Sequence, residues 1–318
     1  MRERDVHMRC LQGSVLETYD IVKELAKDGG KWAALERKMH NRFFRDPPLL
    51  RFRVKDPFAR SVLKAYAHYF IAVLTGQTEE TVLPVLLRSL TSVLGADPVG
   101  DIDESESRLT VAFAERGLHF LGGRTSPYLG PYIWERTVER TYTVDLPDGS
   151  EELTVYLLSG FLMRSWLDFA TFGVLGTGGW ATDEGLFCVV EAYEKHGGLG
   201  AESFRVSFLK HEAQHVADYR KFPRLEAADL EYRAKLMELV YARSRRALRQ
   251  FVREAAPKRE LPHAFASHAL VGGLSSKIGR ECMLDVPLPI VRRAALQLYR
   301  EHTERLQIAG ADTVDTVL

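Results

Sequence analysis

Residues 201–222 contain neither glycine nor proline, and Pro223 closes the run. Such a stretch can be helical throughout. The proline ends it, because proline lacks an N–H and restricts the residue before it. Inside the run lies His211-Glu212-Ala213-Gln214-His215. Residues i and i+4 of a helix share one face, so His211 and His215 can aim two imidazoles at one ion. Glu212 falls about 100° round from His211, beside the ion, where a base for a water belongs. Phe208, Leu209, Ala213, Gln214, Val216 and Ala217 surround these residues without charge, as suits a helix whose histidine face is buried. With 10 histidines and 43 acids in 318 residues, a His-acid-x-x-His is expected by chance only about 0.04 times. The competing reading is an exposed helix with two surface histidines.

A catalytic zinc site takes three protein ligands and leaves one position open. Position 221, where one class of such enzymes has a third histidine, is Lys, and no histidine occurs between His215 and His263. If the chain turns back at Phe222-Pro223 into an antiparallel helix, residues equidistant from the turn come level. The ion lies near the level of residue 213, which is matched by Glu231. Asp229 is the reserve, Glu226 lies too near the turn, and Glu238 is expected too far past it. Otherwise Glu231 would be a surface acid paired with Lys235 at i+4.

The segment "HEAQHVADYRKFPRLEAADLEYRAKL" resembles the gluzincin class of zincin metallopeptidases, in which a HExxH helix precedes a helix that supplies a ligand glutamate. The resemblance covers about residues 150–240. It implies Zn²⁺ held by His211, His215 and Glu231, Glu212 as general base, and an edge strand that pairs with a peptide substrate. In this chain Gly178, Gly179, Trp180 and Ala181 occupy the edge-strand place, where glycine would let a substrate backbone approach closely. A glycine turn leading into a core strand is the equal alternative. Gly176-x-Gly178-x-x-Ala181 also matches a loose dinucleotide fingerprint, without a convincing helix after it.

Upstream, 15–94 carries helical periodicity, with Pro84 expected to shorten or kink the last helix and Thr78 to Thr81 offering a capping box. The acidic, turn-rich segment 96–108 supplies the expected boundary between a helical region, 1–98, and a zincin-like catalytic domain, 99–318; one continuous domain is the alternative. Then "RTVERTYTVDL" and "ELTVYLLSG", joined by "PDGSE", read as a β-hairpin. "LDFATFGVLGTGGWA" and "GLFCVVEAY" read as strands or buried apolar segments, 201–221 and 225–255 as helical blocks, and "LPIVRRAALQLYREHTERLQIA" as a last helix. The expected class is α+β, mainly helical and zincin-like, with a small, mostly antiparallel sheet beside the motif helix.

Lys plus Arg equals Asp plus Glu at 43 each, so no net field draws the chain to nucleic acid or an anionic membrane. The basic, Phe-containing "RFFRDPPLLRFRVK" accordingly reads as a solvated turn. Three spaced cysteines, no apolar leader and no long apolar run make a cytoplasmic location the expectation. His263 and His268 are candidates to stabilise an oxyanion, with Tyr241 and Tyr299 behind them. Asp218 is a candidate to orient an imidazole, and Cys188 reads as a core thiol. The expected activity is zinc-dependent cleavage of a peptide or protein substrate. A non-catalytic binding protein of the same fold, or a zinc hydrolase of a non-peptide amide, remains open.

Overall fold

The computed structural model describes residues 6, 9–10, 15–27, 29–95, 100–182, 184–310, 312 and 318. The chain is mainly helical, with small antiparallel sheets, and it divides into two compact units. One comprises Met1–Val138 with Leu157–Gly178, the other Glu139–Tyr156 with Gly179–Leu318. The division expected at 98/99 falls on residues outside the described set.

In the first unit, helices Val15–Ala26, Gly30–Met39, Pro57–Leu74, Glu79–Leu94 and Ile102–Ala114 close on a core that includes Tyr66, Phe70, Leu90, Phe113 and Trp166. Asp56 caps its helix by accepting from the Ala59 N–H at 2.7 Å, with Pro57 at the first helical position, where no N–H is needed. The helix Glu79–Leu94 runs through Pro84 without a break. Thr78 spends its hydroxyl on that of Thr81 at 3.1 Å and caps nothing with its side chain. The apolar run at 165–170 is a short helix and not a strand: Trp166 and Ala170 are its buried positions.

The hairpin is tighter than expected. Arg136–Leu146 pairs with Gly149–Ser159 across Pro147-Asp148, and Gly149, at φ 143°, takes the backbone that a side chain would resist. Its strands head a four-stranded sheet whose far edge is the short strand Gly179–Thr182, paired with Gly185–Val189.

The second unit is built round one helix, Ala227–Val240, which packs against Leu209–Lys221, Pro262–Ile278 and Leu288–Ala309. It is buried almost all round, charged residues included. Two expected helical blocks are each divided. The first separates into Glu202–Arg205 and Leu209–Lys221, because the Ser207 and His211 N–H groups reach back five residues and widen the turn. That turn buries Phe204, Val206, Phe208 and Leu209 together. The second separates into Ala227–Val240 and Arg246–Glu254. Among the described residues no helix is long and apolar enough to cross a membrane.

Candidate metal centre

Helix Leu209–Lys221 carries the HEAQH residues, and the hairpin holds it at both ends. Lys210 donates to the Asp145 carbonyl at 2.5 Å, and Arg220 makes a two-pronged pair with Glu151 at 2.7 and 3.2 Å. The chain then turns through 222–226. Glu226 caps the next helix by accepting from the Ala228 N–H at 2.7 Å, which removes it from contention as a ligand.

His211, His215 and Glu231 converge. One nitrogen or oxygen from each lies within 4.8 Å of the others. Glu231 Oε2 is 3.7 Å from His211 Nε2, and its Oε1 is 3.5 Å from His215 Nε2. Ligands about 2.1 Å from a tetrahedral ion lie roughly 3.4 Å apart; each histidine Nε2 lies near that distance from one of the two Glu231 oxygens, His211 from Oε2 and His215 from Oε1. The imidazole rings stand nearly perpendicular, at 82°. Lys235, the alternative partner for Glu231, is buried and pairs with Glu254 at 2.5 Å, leaving Glu231 to the histidines.

Electrostatics keep this carboxylate ionised. Burial pushes Glu231 up, but the hydrogen bonds from His215 and His263 and the charges of His211 and His263 overcome it. The net effect holds Glu231 well below the usual carboxylate range. For His211, burial acts downward, while the hydrogen bond and charge of Glu238, with the charges of Glu231 and Glu212, outweigh it and raise the group above its ordinary value. A divalent cation would relieve this crowding of acids by displacing the proton they favour.

Glu238 is the residue that sequence reasoning placed too far away. Its Oε1 sits 2.9 Å from His211 Nδ1, the nitrogen facing away from Glu231. Side chains on a helix lean toward its N-terminus, so Glu238, two turns beyond Glu231, reaches back to His211. A usable signal was present: Glu238 follows Glu231 by seven residues and therefore shares its face. An acceptor on the outer nitrogen of a ligand imidazole fixes both tautomer and ring orientation.

The remaining expected residues sort themselves by position. Glu212 lines a cleft of about 510 Å³ with His215, Val216 and Tyr219, facing Ala181, Thr182 and Leu186 of the edge hairpin. His263 is exposed, and its Nδ1 approaches Glu231 Oε2 to 2.7 Å, so it contacts the candidate ligand carboxylate. His268 is exposed five residues further on, about 140° round the same helix. Asp229, the reserve ligand, is buried and accepts from His302 Nε2 at 2.8 Å. Asp218 binds Arg233 Nε and Gln214 Nε2, each at 2.8 Å; its other oxygen and His215 Nδ1 are both buried without a hydrogen-bond partner.

Tyr299 is buried and donates to Asp148, while Tyr241 lies under Lys210, 3.7 Å from the ring centre. Cys188 is a core thiol, pushed up to about 12 by burial and by the charge of Glu191. At Gly179 a side chain would strike the Phe187 carbonyl and the Phe208 ring, so the space beside this glycine is filled by the chain itself. Trp180 stacks on Phe187 at 5.6 Å on the opposite face of the sheet. Comparison with protein-family models, with curated proteins and with solved structures returns no match.

Proposed function

We propose that the second unit is a zinc-dependent hydrolase of the zincin type in its gluzincin arrangement, cleaving a peptide bond. The observation that carries this reading is the convergence of His211, His215 and Glu231 within 4.8 Å of one another, with Glu212, about 100° round the helix from His211, lining an open cleft. When bound, Zn²⁺ acidifies a water and polarises a carbonyl.

The protein's own groups divide the rest of the work. His211, His215 and Glu231 hold the ion, and Glu238 fixes the orientation of His211. Glu212 takes a proton from the attacking water and delivers it to the leaving amine. The strand Gly179–Thr182 stands at the edge of its sheet, the place where an extended peptide would lie alongside. Since the chain itself fills the space at Gly179, close approach is left to the outer end of that strand, at Ala181 and Thr182, which line the cleft.

The test is Glu212→Gln. The variant keeps one zinc per chain by elemental analysis and loses about 10²–10⁴-fold in hydrolysis of a mixed peptide library. Full activity in the variant, or a wild-type protein that takes up no zinc, overturns the reading. If wild type and variant both hold zinc and neither hydrolyses peptides, the site belongs to a binding protein.

A further inference from the structure

The first unit holds a second cavity, of about 490 Å³, between two segments distant in sequence. Arg42, Arg51 and Arg53 come from one segment and Arg164 from the other, and a single carboxylate, Asp168, lines the cavity with them. We propose that this cavity binds the phosphate group of a small phosphorylated molecule. Arg42, Arg51 and Arg53 belong to the basic stretch "RFFRDPPLLRFRVK", which here forms part of a concave wall and not merely a solvated turn.

The arrangement follows from the local sequence. Pro47 and Pro48 keep the chain out of a helix, and 48–56 runs without regular structure. Along 51–54, Phe52 and Val54 pack against the core while Arg51 and Arg53 stay exposed at the cavity, as an extended chain with alternating side chains requires. Arg42 is held more tightly. It donates to the Phe169 carbonyl at 2.5 Å, with its guanidinium 4.7 Å from the Phe169 ring and 4.1 Å from the Phe172 ring.

Charge is left over. Arg164 pairs with Asp168 at 2.5 Å, so the one lining carboxylate is already engaged. Among the described residues, Arg51 and Arg53 pair with no carboxylate. Burial draws Arg42 down to about 10, against the charge of Asp168, as expected for a buried cation with incomplete compensation. Backbone geometry adds an independent sign. Among the described residues, the non-glycine residues with positive φ are Ser165 and Phe172, at 58° and 55°, and both line this cavity. Such conformations concentrate at sites where surrounding structure enforces them.

Phosphate suits these groups because a guanidinium presents a planar fork of donors that matches its oxygens. The volume exceeds that of a bare oxyanion, and Leu49, Leu50 and Phe52 supply apolar wall for an organic portion.

The test is calorimetric titration of the full chain at constant ionic strength with inorganic phosphate, AMP and adenosine. Phosphate and AMP bind saturably, one per chain, AMP more tightly, and adenosine does not bind. The double variant Arg51→Ala/Arg53→Ala weakens both by about tenfold or more with an unchanged melting temperature, since both side chains are exposed. Arg51→Lys/Arg53→Lys, which keeps the charge and loses the fork, lies between. Arg243→Ala/Arg249→Ala, in the other unit, leaves binding unchanged.

No saturable binding by phosphate or AMP overturns the proposal, as does equal weakening by the control pair. AMP binding no tighter than phosphate overturns the assignment to an organic phosphate.

Discussion

At the scale of single residues, the proposed metal centre depends on a contact made at the far nitrogen of the His211 ring. Glu238 reaches His211 Nδ1 at 2.9 Å, and an imidazole whose outer nitrogen is held presents its Nε2 in one direction with one tautomer. Glu238→Ala therefore weakens zinc binding by about 10–100-fold while leaving three ligands in place. Glu238→Gln, which can still accept a hydrogen bond but lacks the charge, lies between the two. Competition against a chromophoric chelator reads the affinities directly, and equal affinity in wild type and Glu238→Ala would show that the contact does not serve the ion. The same residue marks the limit of what sequence alone reveals here. The pair His211 and His215 is legible because helical periodicity acts within one element, and Glu231 because a proline announces the turn. Glu238 is hidden because matching levels across a turn ignores how far a long side chain leans back along its helix.

At the scale of elements, helix Ala227–Val240 is the part least readable from its composition. Asp229, Glu231, Arg233, Lys235 and Glu238 have the look of a solvated face, yet the helix is central and its charges are spent inward. Lys235 meets Glu254, Glu238 meets His211, and Arg233 meets Asp218 and Thr303 beneath the Tyr299 ring. Helix Pro262–Ile278 has no counterpart in the sequence reading, because Gly272-Gly273 lowers its propensity and only packing against the central helix recovers it. The outer helices and the hairpin were legible, since caps, turns and alternation are local. Burial of charge makes the central helix testable. Arg233 and Asp218 have side chains 0% and 1% exposed, so removing either partner strands the other in the interior. Arg233→Met should cost about 3–5 kcal/mol in urea unfolding at neutral pH. The double variant Arg233→Met/Asp218→Asn should cost less than Arg233→Met alone, because no uncompensated charge remains. A double variant that loses the full sum of the two single effects would mean that the pair is not coupled.

At the scale of the whole molecule, histidine is the side chain whose ordinary pKa, about 6.5, falls in the mildly acid range, and buried histidines therefore shape the response there. His302 is fully buried between Asp229 and Arg233. Burial lowers it first, the Arg233 charge adds to that, and the Asp229 hydrogen bond only partly opposes them, so its pKa lies below the ordinary 6.5. The unfolded chain therefore binds a proton near pH 6.5 that the folded chain refuses. Where the unfolded state carries more protons, stability rises with pH, so it must fall as pH drops below about 6.5 and level off once the folded histidine titrates. His68, lowered by burial and by the charge of Lys64, contributes with the same sign. His211 is raised instead, and in the metal-free protein its contribution grows as pH falls toward 6.5 and is complete below it. The two effects thus occupy opposite sides of one pH value. Unfolding free energies of the metal-free protein, measured by urea titration from pH 8 to 5, should pass through a maximum near that value. His302→Asn, which keeps a donor for Asp229 but cannot charge, should flatten the acid limb without moving the alkaline one. An acid limb equally steep in that variant would assign the loss to other groups, His68 foremost.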